Sequence, residues 1–155
     1  MGSRVKNFLY NHKSPEAVIR SQLKEDELGE QMTMVISADG ETANSEFRAF
    51  REEVLAEAGE VLDLYFSSDT YLEVVLKGVN KGCALKKVCE YFGCDIGSSV
   101  AAGDEENDLE MIKTAGIGCA VANAMPSVKA AAAFVTQNDC EHDGIVEIID
   151  RFVIV

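Results

Sequence analysis

Apolar positions along the chain follow two rhythms, and the change between them falls near residue 77. Between residues 45 and 58, Phe47, Phe50, Val54 and Leu55 recur at helical spacing and Gly59 offers a stop, which predicts an amphipathic helix. Residues 61–66 and 71–76 are short apolar runs joined by Ser67-Ser68-Asp69-Thr70. Tyr71, Glu73 and Val75 alternate with Leu72, Val74 and Leu76, giving one mixed and one apolar face, as in an antiparallel hairpin on a half-exposed sheet. Upstream, residues 32–36 read as a strand closed by the turn-like Ala38-Asp39-Gly40-Glu41. The first thirty residues lean helical. Val5, Phe8 and Leu9 share helical spacing, Ser14-Pro15-Glu16 is a start signal, and residues 24–31 form a charged connection.

From Lys77 onward helices alternate with short apolar strands. The pattern predicts helix 81–92, strand 98–102, helix 106–115, strand 117–121, helix 125–133, a short strand at 134–136 and a final helix over 144–152. Such alternation marks a parallel, doubly wound sheet. The chain therefore divides into an α+β part over residues 1–76 and an α/β part over residues 77–155.

Composition narrows the classes. A 47% hydrophobic content over 155 residues suits one domain, or one domain and part of a second. No apolar run approaches the roughly 18 residues that span a bilayer, and the first residues carry no signal-like stretch. A formal charge of -13 argues against nucleic acid as a partner. The same charge would repel a phosphorylated ligand unless a divalent cation reverses the local field. Five cysteines, with no C-x-x-C pair, read as reduced thiols of a cytoplasmic protein and as small core residues.

Chemistry concentrates in Gly103-Asp104-Glu105-Glu106-Asn107-Asp108-Leu109-Glu110-Met111. Ser99 to Ala102 is small and apolar, fit for a central strand, so Asp104 lies at a strand's C-terminal end, the edge where open α/β sheets bind ligands. Five carboxylates in seven residues offer the hard oxygen donors that magnesium takes, commonly one or two alongside water and phosphate. An equally simple reading makes Asp104 an N-cap with Glu105 and Glu106 in a favourable first turn. Asn107 is a neutral donor and acceptor among the acids. A second point of interest is Lys81, which follows the good N-cap Asn80. A cation there opposes the helix dipole, so it is explained by an anion at the helix start or is simply a solvated surface lysine.

A lysine at a helix start, followed by Gly-Asp-x-x-Asn-Asp after a buried strand, resembles the third and fourth motifs of the haloacid dehalogenase-like superfamily. Leu72-Glu73-Val74 before Gly78-Val79-Asn80-Lys81-Gly82-Cys83-Ala84-Leu85 is similar to the Cof-type branch, as are Ala102 to Met111, Ala115-Gly116, Val121-Ala122-Asn123-Ala124 and Asp143-Gly144. The resemblance covers residues 71–150 strongly and 32–70 by texture. It implies the C-terminal half of a Rossmann-like core with part of an α+β cap, in a magnesium-dependent phosphatase of small phosphorylated metabolites. It further implies that Lys81 neutralises the phosphoryl group, that Asp104 ligates Mg2+, and that Asp108 supports the metal. Asn107 contacts substrate phosphate or steadies Lys81, and Asn123 lies near the site.

One departure is large. The family's nucleophilic aspartate lies in a D-x-D-G-T/V motif, acts through a phosphoaspartate, and has no counterpart in residues 1–155. The nearest string, Val35-Ile36-Ser37-Ala38-Asp39-Gly40, has serine in the nucleophile's place and reads as a cap hairpin. The chain is therefore expected to be a fragment, inactive alone, whose partner is the missing N-terminal segment of the same protein. The rivals are the phosphorylation domain of a cation pump, disfavoured by the lack of a D-K-T-G motif and of membrane spans, and a non-catalytic module that keeps the fold.

Overall fold

The computed structural model describes residues 17–20, 34–38, 43–68 and 71–154. Strands β1 (Ala17–Arg20) and β2 (Met34–Ala38), helix α1 (Ala43–Ala58), and strands β3 (Leu62–Ser68) and β4 (Tyr71–Leu76) come first. The four strands form one sheet in the order β1-β2-β4-β3, antiparallel at every pairing. In the expected hairpin Leu62 pairs with Leu76 and Phe66 with Leu72, and the register shifts between Phe66 and Ser68. Alternation sends Leu62, Leu64 and Phe66 to one face, where with Leu72 and Val74 they bury against Phe47 and Val54 of α1. Leu72 is fully buried, and closing water out from such a side chain stabilises the fold by about 1.5–3 kcal/mol.

Two readings of the N-terminal part are corrected. Where the pattern leans helical, Ala17–Arg20 is a strand, with Ala17 opposite Ala38 and Arg20 opposite Val35. Val18 and Ile19 are β-branched, and the ladder offered by β2 outweighs the nearby helix-start signal. Strand β2 itself lies two residues beyond its expected start and pairs with β1 and β4. The rest of the helix-leaning stretch and the Asp39-Gly40 turn lie outside the described residues.

Beyond β4 follow α2 (Lys81–Phe92), a 3-10 turn (Ile96–Ser98), β5 (Val100–Gly103), a second 3-10 turn (Glu106–Asp108), α3 (Leu109–Thr114), β6 (Ile117–Ala120), α4 (Pro126–Ala131), β7 (Phe134–Val135) and α5 (Gly144–Phe152). Strands β5, β6 and β7 form a parallel sheet in sequence order, Val100 opposite Ile117 and Cys119 opposite Phe134. The fold is α/β, with a Rossmann-like parallel sheet and its helices beside the antiparallel sheet.

Local signals explain the boundaries. The Asn80 side chain accepts a hydrogen bond from the Cys83 N–H at 2.9 Å and starts α2; Gly93, at a left-handed φ of 66°, ends it. Helices α3 and α4 pack on the parallel sheet around Ile112, Ala120, Val121, Ala124 and Val128. Gly82 lets α2 lie against α3, because a Cβ there would sit 2.6 Å from the Glu110 carbonyl oxygen. The expected helix over 106–115 is divided into a 3-10 turn and α3. Two cysteines, Cys89 and Cys119, are buried as expected, and burial pushes the Cys119 thiol up. Cys83, Cys94 and Cys140 are exposed, so the reading of all five as core residues is corrected; they occupy helix surface and loops. Among the described residues no helix is long and apolar enough to cross a membrane.

Candidate functional site

Strand β5 delivers the chain to Gly103, and the next five residues fold back on themselves around one carboxylate. Asp108 accepts from the Asp104 N–H at 3.0 Å and the Glu105 N–H at 3.3 Å through Oδ2. Its other oxygen, Oδ1, lies 2.5 Å from Lys81 Nζ. The Asp108 side chain is 8% exposed and that of Lys81 47%. Gly103 makes this possible, since a Cβ at that position would approach Asp108 Cβ to 2.4 Å. The turn therefore starts at Glu105, with Asp108 reaching back to cap it, and Asp104 is not the N-cap that one reading of the sequence makes it. The Asp104 carbonyl accepts from the Met125 N–H at 2.8 Å, which ties the loop after β5 to the turn after β6.

Lys81 is the first residue of α2, and the group that meets it is a buried acid of the loop 27 residues on. Lys77, by contrast, pairs with Asp63 at 2.7 Å on a more exposed surface. Asp63 also accepts from the Gly78 N–H at 2.9 Å. Burial pushes the Asp63 carboxyl up, but the Gly78 N–H and the Lys77 ammonium outweigh it and hold the group below its ordinary value.

The acidic loop is also held from the antiparallel sheet. Asn107, 9% exposed, donates through Nδ2 to Glu73 Oε1 at 3.0 Å. Glu106 Oε2 accepts from Arg51 Nη1 at 3.0 Å and from the Phe66 N–H at 3.1 Å. Sequence reasoning finds neither Glu73 nor Arg51 as part of this cluster, because their partners lie 34 and 55 residues away. The available signal is Val75, an apolar residue on the mixed face of β4; it is 6% exposed and shows that this face is covered too. Tyr65 stands on the corresponding face of β3. Burial and the charges of Asp63, Glu110 and Glu106 push its hydroxyl up against the opposing hydrogen bond with Asn80.

Of the residues singled out from sequence, Lys81, Asp104, Asn107 and Asp108 gather on this loop and the start of α2. Asn123 is set apart: its side chain accepts from the Cys140 N–H at 3.1 Å and donates to Cys140 Sγ at 3.2 Å. It lines an open cavity of about 390 Å³ with Gln137, Asn138, Asp139 and His142. There the His142 ring, 2.7 Å from Asp139, holds that carboxyl below its ordinary value.

Among the described residues no three His, Cys, Asp or Glu side chains converge to hold a metal. Two neighbouring carboxylates remain a fitting donor set for magnesium, which typically takes one or two with water and phosphate completing the shell. Asp108 has both oxygens engaged, one by Lys81 and the other by the Asp104 and Glu105 N–H groups.

The family model described as haloacid dehalogenase-like hydrolase matches residues 3–149. The chain is 41% identical over 106 residues to a 5-amino-6-(5-phospho-D-ribitylamino)uracil phosphatase of Bacillus subtilis strain 168, covering 67% of this chain and 42% of that protein. Among solved structures, a sugar phosphatase of haloacid dehalogenase subclass IIB matches with 27% identity and a TM-score of 0.66, over 79% of this chain and 44% of the other. A Streptococcus mutans UA159 structure shares the fold across 100% of this chain and 69% of its own, at 22% identity and a TM-score of 0.77. The chain spans less than half the length of the Bacillus subtilis phosphatase.

Proposed function

Because the chain belongs to the haloacid dehalogenase-like hydrolase family, we propose that residues 1–155 are the cap and core portion of a magnesium-dependent phosphatase of small phosphate monoesters, such as sugar or metabolite phosphates. Residues 1–76 supply part of the cap and residues 77–155 the C-terminal half of the core. The nucleophilic aspartate, which carries the phosphoryl group as a phosphoaspartate, comes from outside residues 1–155, in an N-terminal segment of the same protein that is also this chain's partner.

The observation that carries this reading is the 2.5 Å pair of Lys81 and Asp108 at the C-terminal end of β5, with Asp104 and Asn107 on the same loop. Lys81 brings a cation to the spot where phosphoryl charge develops, and Asp108 aims the ammonium while holding the loop's amides. Asp104 would hold the cation, Asp108 would support it directly or through water, and Asn107 would offer a donor to a phosphate oxygen. Bound magnesium supplies positive charge against the phosphoryl oxygens. A protein of net charge -13 needs such a focus to hold an anion. Asn123 is the weaker member of the proposed set: its side chain is taken up by Cys140, and only the backbone bond from Met125 to Asp104 ties its turn to the site loop. The exposed free thiols support a cytoplasmic setting.

The test is to assay the protein with its N-terminal segment on p-nitrophenyl phosphate and a panel of sugar phosphates, before and after exhaustive chelation. Turnover that disappears with the metal and returns with magnesium is expected. Full turnover after chelation overturns the metal assignment, and no turnover on any ester favours the non-catalytic module, a reading that the missing D-x-D-G string keeps in view.

A further inference from the structure

We infer that Glu73, on the antiparallel sheet, is a positioning residue for Asn107: its carboxylate decides which way the Asn107 amide faces in the site loop. This rests on the reading of Asn107 as a contact for substrate phosphate. A carboxylate only accepts, whereas an asparagine side chain has a donor end and an acceptor end. With Glu73 Oε1 3.0 Å from Asn107 Nδ2, one of the two amide orientations makes a charge-assisted bond. The reverse orientation would set two acceptor oxygens against each other at a residue that is 9% exposed.

The mount is rigid. Leu72 and Val74, on either side of Glu73, are 0% and 5% exposed in the core under α1, so strand alternation turns Glu73 to the opposite face, toward the loop. Glu106, adjacent to Asn107, is fastened to the same sheet by the Phe66 N–H of β3 and to helix α1, which covers that sheet, by Arg51. An amide nitrogen carries two hydrogens. One is engaged by Glu73, and the second is left as a donor of fixed direction for an anionic oxygen. The antiparallel sheet thus contributes to phosphate recognition through a residue that need not touch phosphate itself.

The experiment uses inorganic phosphate with excess magnesium as the probe, titrated calorimetrically into the protein with its N-terminal segment. Alongside it, the side-chain amide signals of 15N-labelled protein are assigned through Asn107→Asp. For Glu73→Ala the expected result is an approximately tenfold loss of phosphate affinity and a large shift of the Asn107 amide pair. Glu73→Gln, whose amide oxygen still accepts, should recover part of both. Glu106→Gln, which weakens the neighbouring tie of the loop to α1 and β3, should leave the Asn107 amide signals in place. Equal phosphate affinity in Glu73→Ala and the parent overturns the inference, as does a Glu106→Gln variant that displaces the Asn107 signals equally. If Glu73→Ala does not fold, the same comparisons are made on Glu73→Gln. If the parent chain binds no phosphate, the reading of Asn107 as a substrate contact fails. The amide signals then decide the orienting role alone, and an unshifted Asn107 pair in Glu73→Ala overturns it.

Discussion

Lys81 Nζ and Asp108 Oδ1 stand 2.5 Å apart across 27 positions of sequence, and the acid is the buried member of the pair. A first-turn lysine opposed to its helix dipole gains little from folding by itself. Its pairing with a carboxylate 8% exposed changes that expectation, because removing the lysine strands a desolvated charge. Lys81→Met should therefore lower stability by about 1 kcal/mol, a value reduced for the half-exposed ammonium. In the protein with its nucleophile, loss of this charge should cut turnover by roughly a hundredfold or more. Thermal unfolding and steady-state kinetics check the two effects separately. Unaltered turnover would leave Lys81 a structural partner of Asp108 and nothing more.

Gly103→Ala should be among the more damaging single-methyl additions in the chain. The new Cβ would lie 2.4 Å from Asp108 Cβ and 2.6 Å from its Cγ, so the capping carboxylate would have to move. Overpacking of this kind costs about 1–3 kcal/mol. Circular dichroism melts should show a fall of several degrees, with magnesium affinity falling in step. A variant as stable as the parent would mean that the loop has slack absent from its described geometry.

Asp63 makes a pH-dependent contribution to the link between β4 and α2. Its carboxyl is held below the ordinary 3.8 despite burial, by the Gly78 N–H and Lys77. A lowered folded-state value gives stability that is present above the ordinary value and lost as pH falls through the folded one. Asp63→Asn should thus be less stable than the parent near neutrality, and the two melting curves should converge in strong acid. A constant gap from neutral pH down to that range would show that the ionised form is not the source.

Residues 1–155 alone should hydrolyse no small phosphate ester. Asp104 is committed to the cation in the proposed site, and Ser37 lies on β2 of the antiparallel sheet, opposite Tyr71. The check is purified chain with p-nitrophenyl phosphate and excess magnesium, with Asp104→Asn as the control for contaminating phosphatases. Activity that copurifies with the chain and vanishes in the variant would place a nucleophile within these residues, and Asp39 would be examined first.

What could be read from sequence was what local chemistry decides. Helix α2 runs over the expected residues because Asn80 and Gly93 mark both ends, and the β3–β4 hairpin follows from alternation alone. The loop 103–108 was legible as a cluster, but the 3-10 turn within it was not. That turn depends on Asp108 reaching backwards rather than on helical periodicity. Strand β1 escaped for the opposite reason, since four residues acquire strand geometry only from the neighbour that pairs with them. The ties from Glu73 and Arg51 to the loop were invisible because no short-range pattern encodes a partner 34 or 55 residues away.

The Glu106 contact with Arg51 has a consequence for folding rates. The parallel sheet is assembled from neighbours in sequence, β5 with β6 and β6 with β7, whereas this ion pair closes a span of 55 residues. Loop-closure entropy disfavours so distant a contact until both sheets exist, so it should form after the rate-limiting step. Weakening it by Glu106→Gln should then leave the refolding rate nearly unchanged and accelerate unfolding, visible as a shift in only the unfolding arm of a chevron plot. The acid that joins the two sheets would act as a brake on their separation and contribute little to the speed with which they come together.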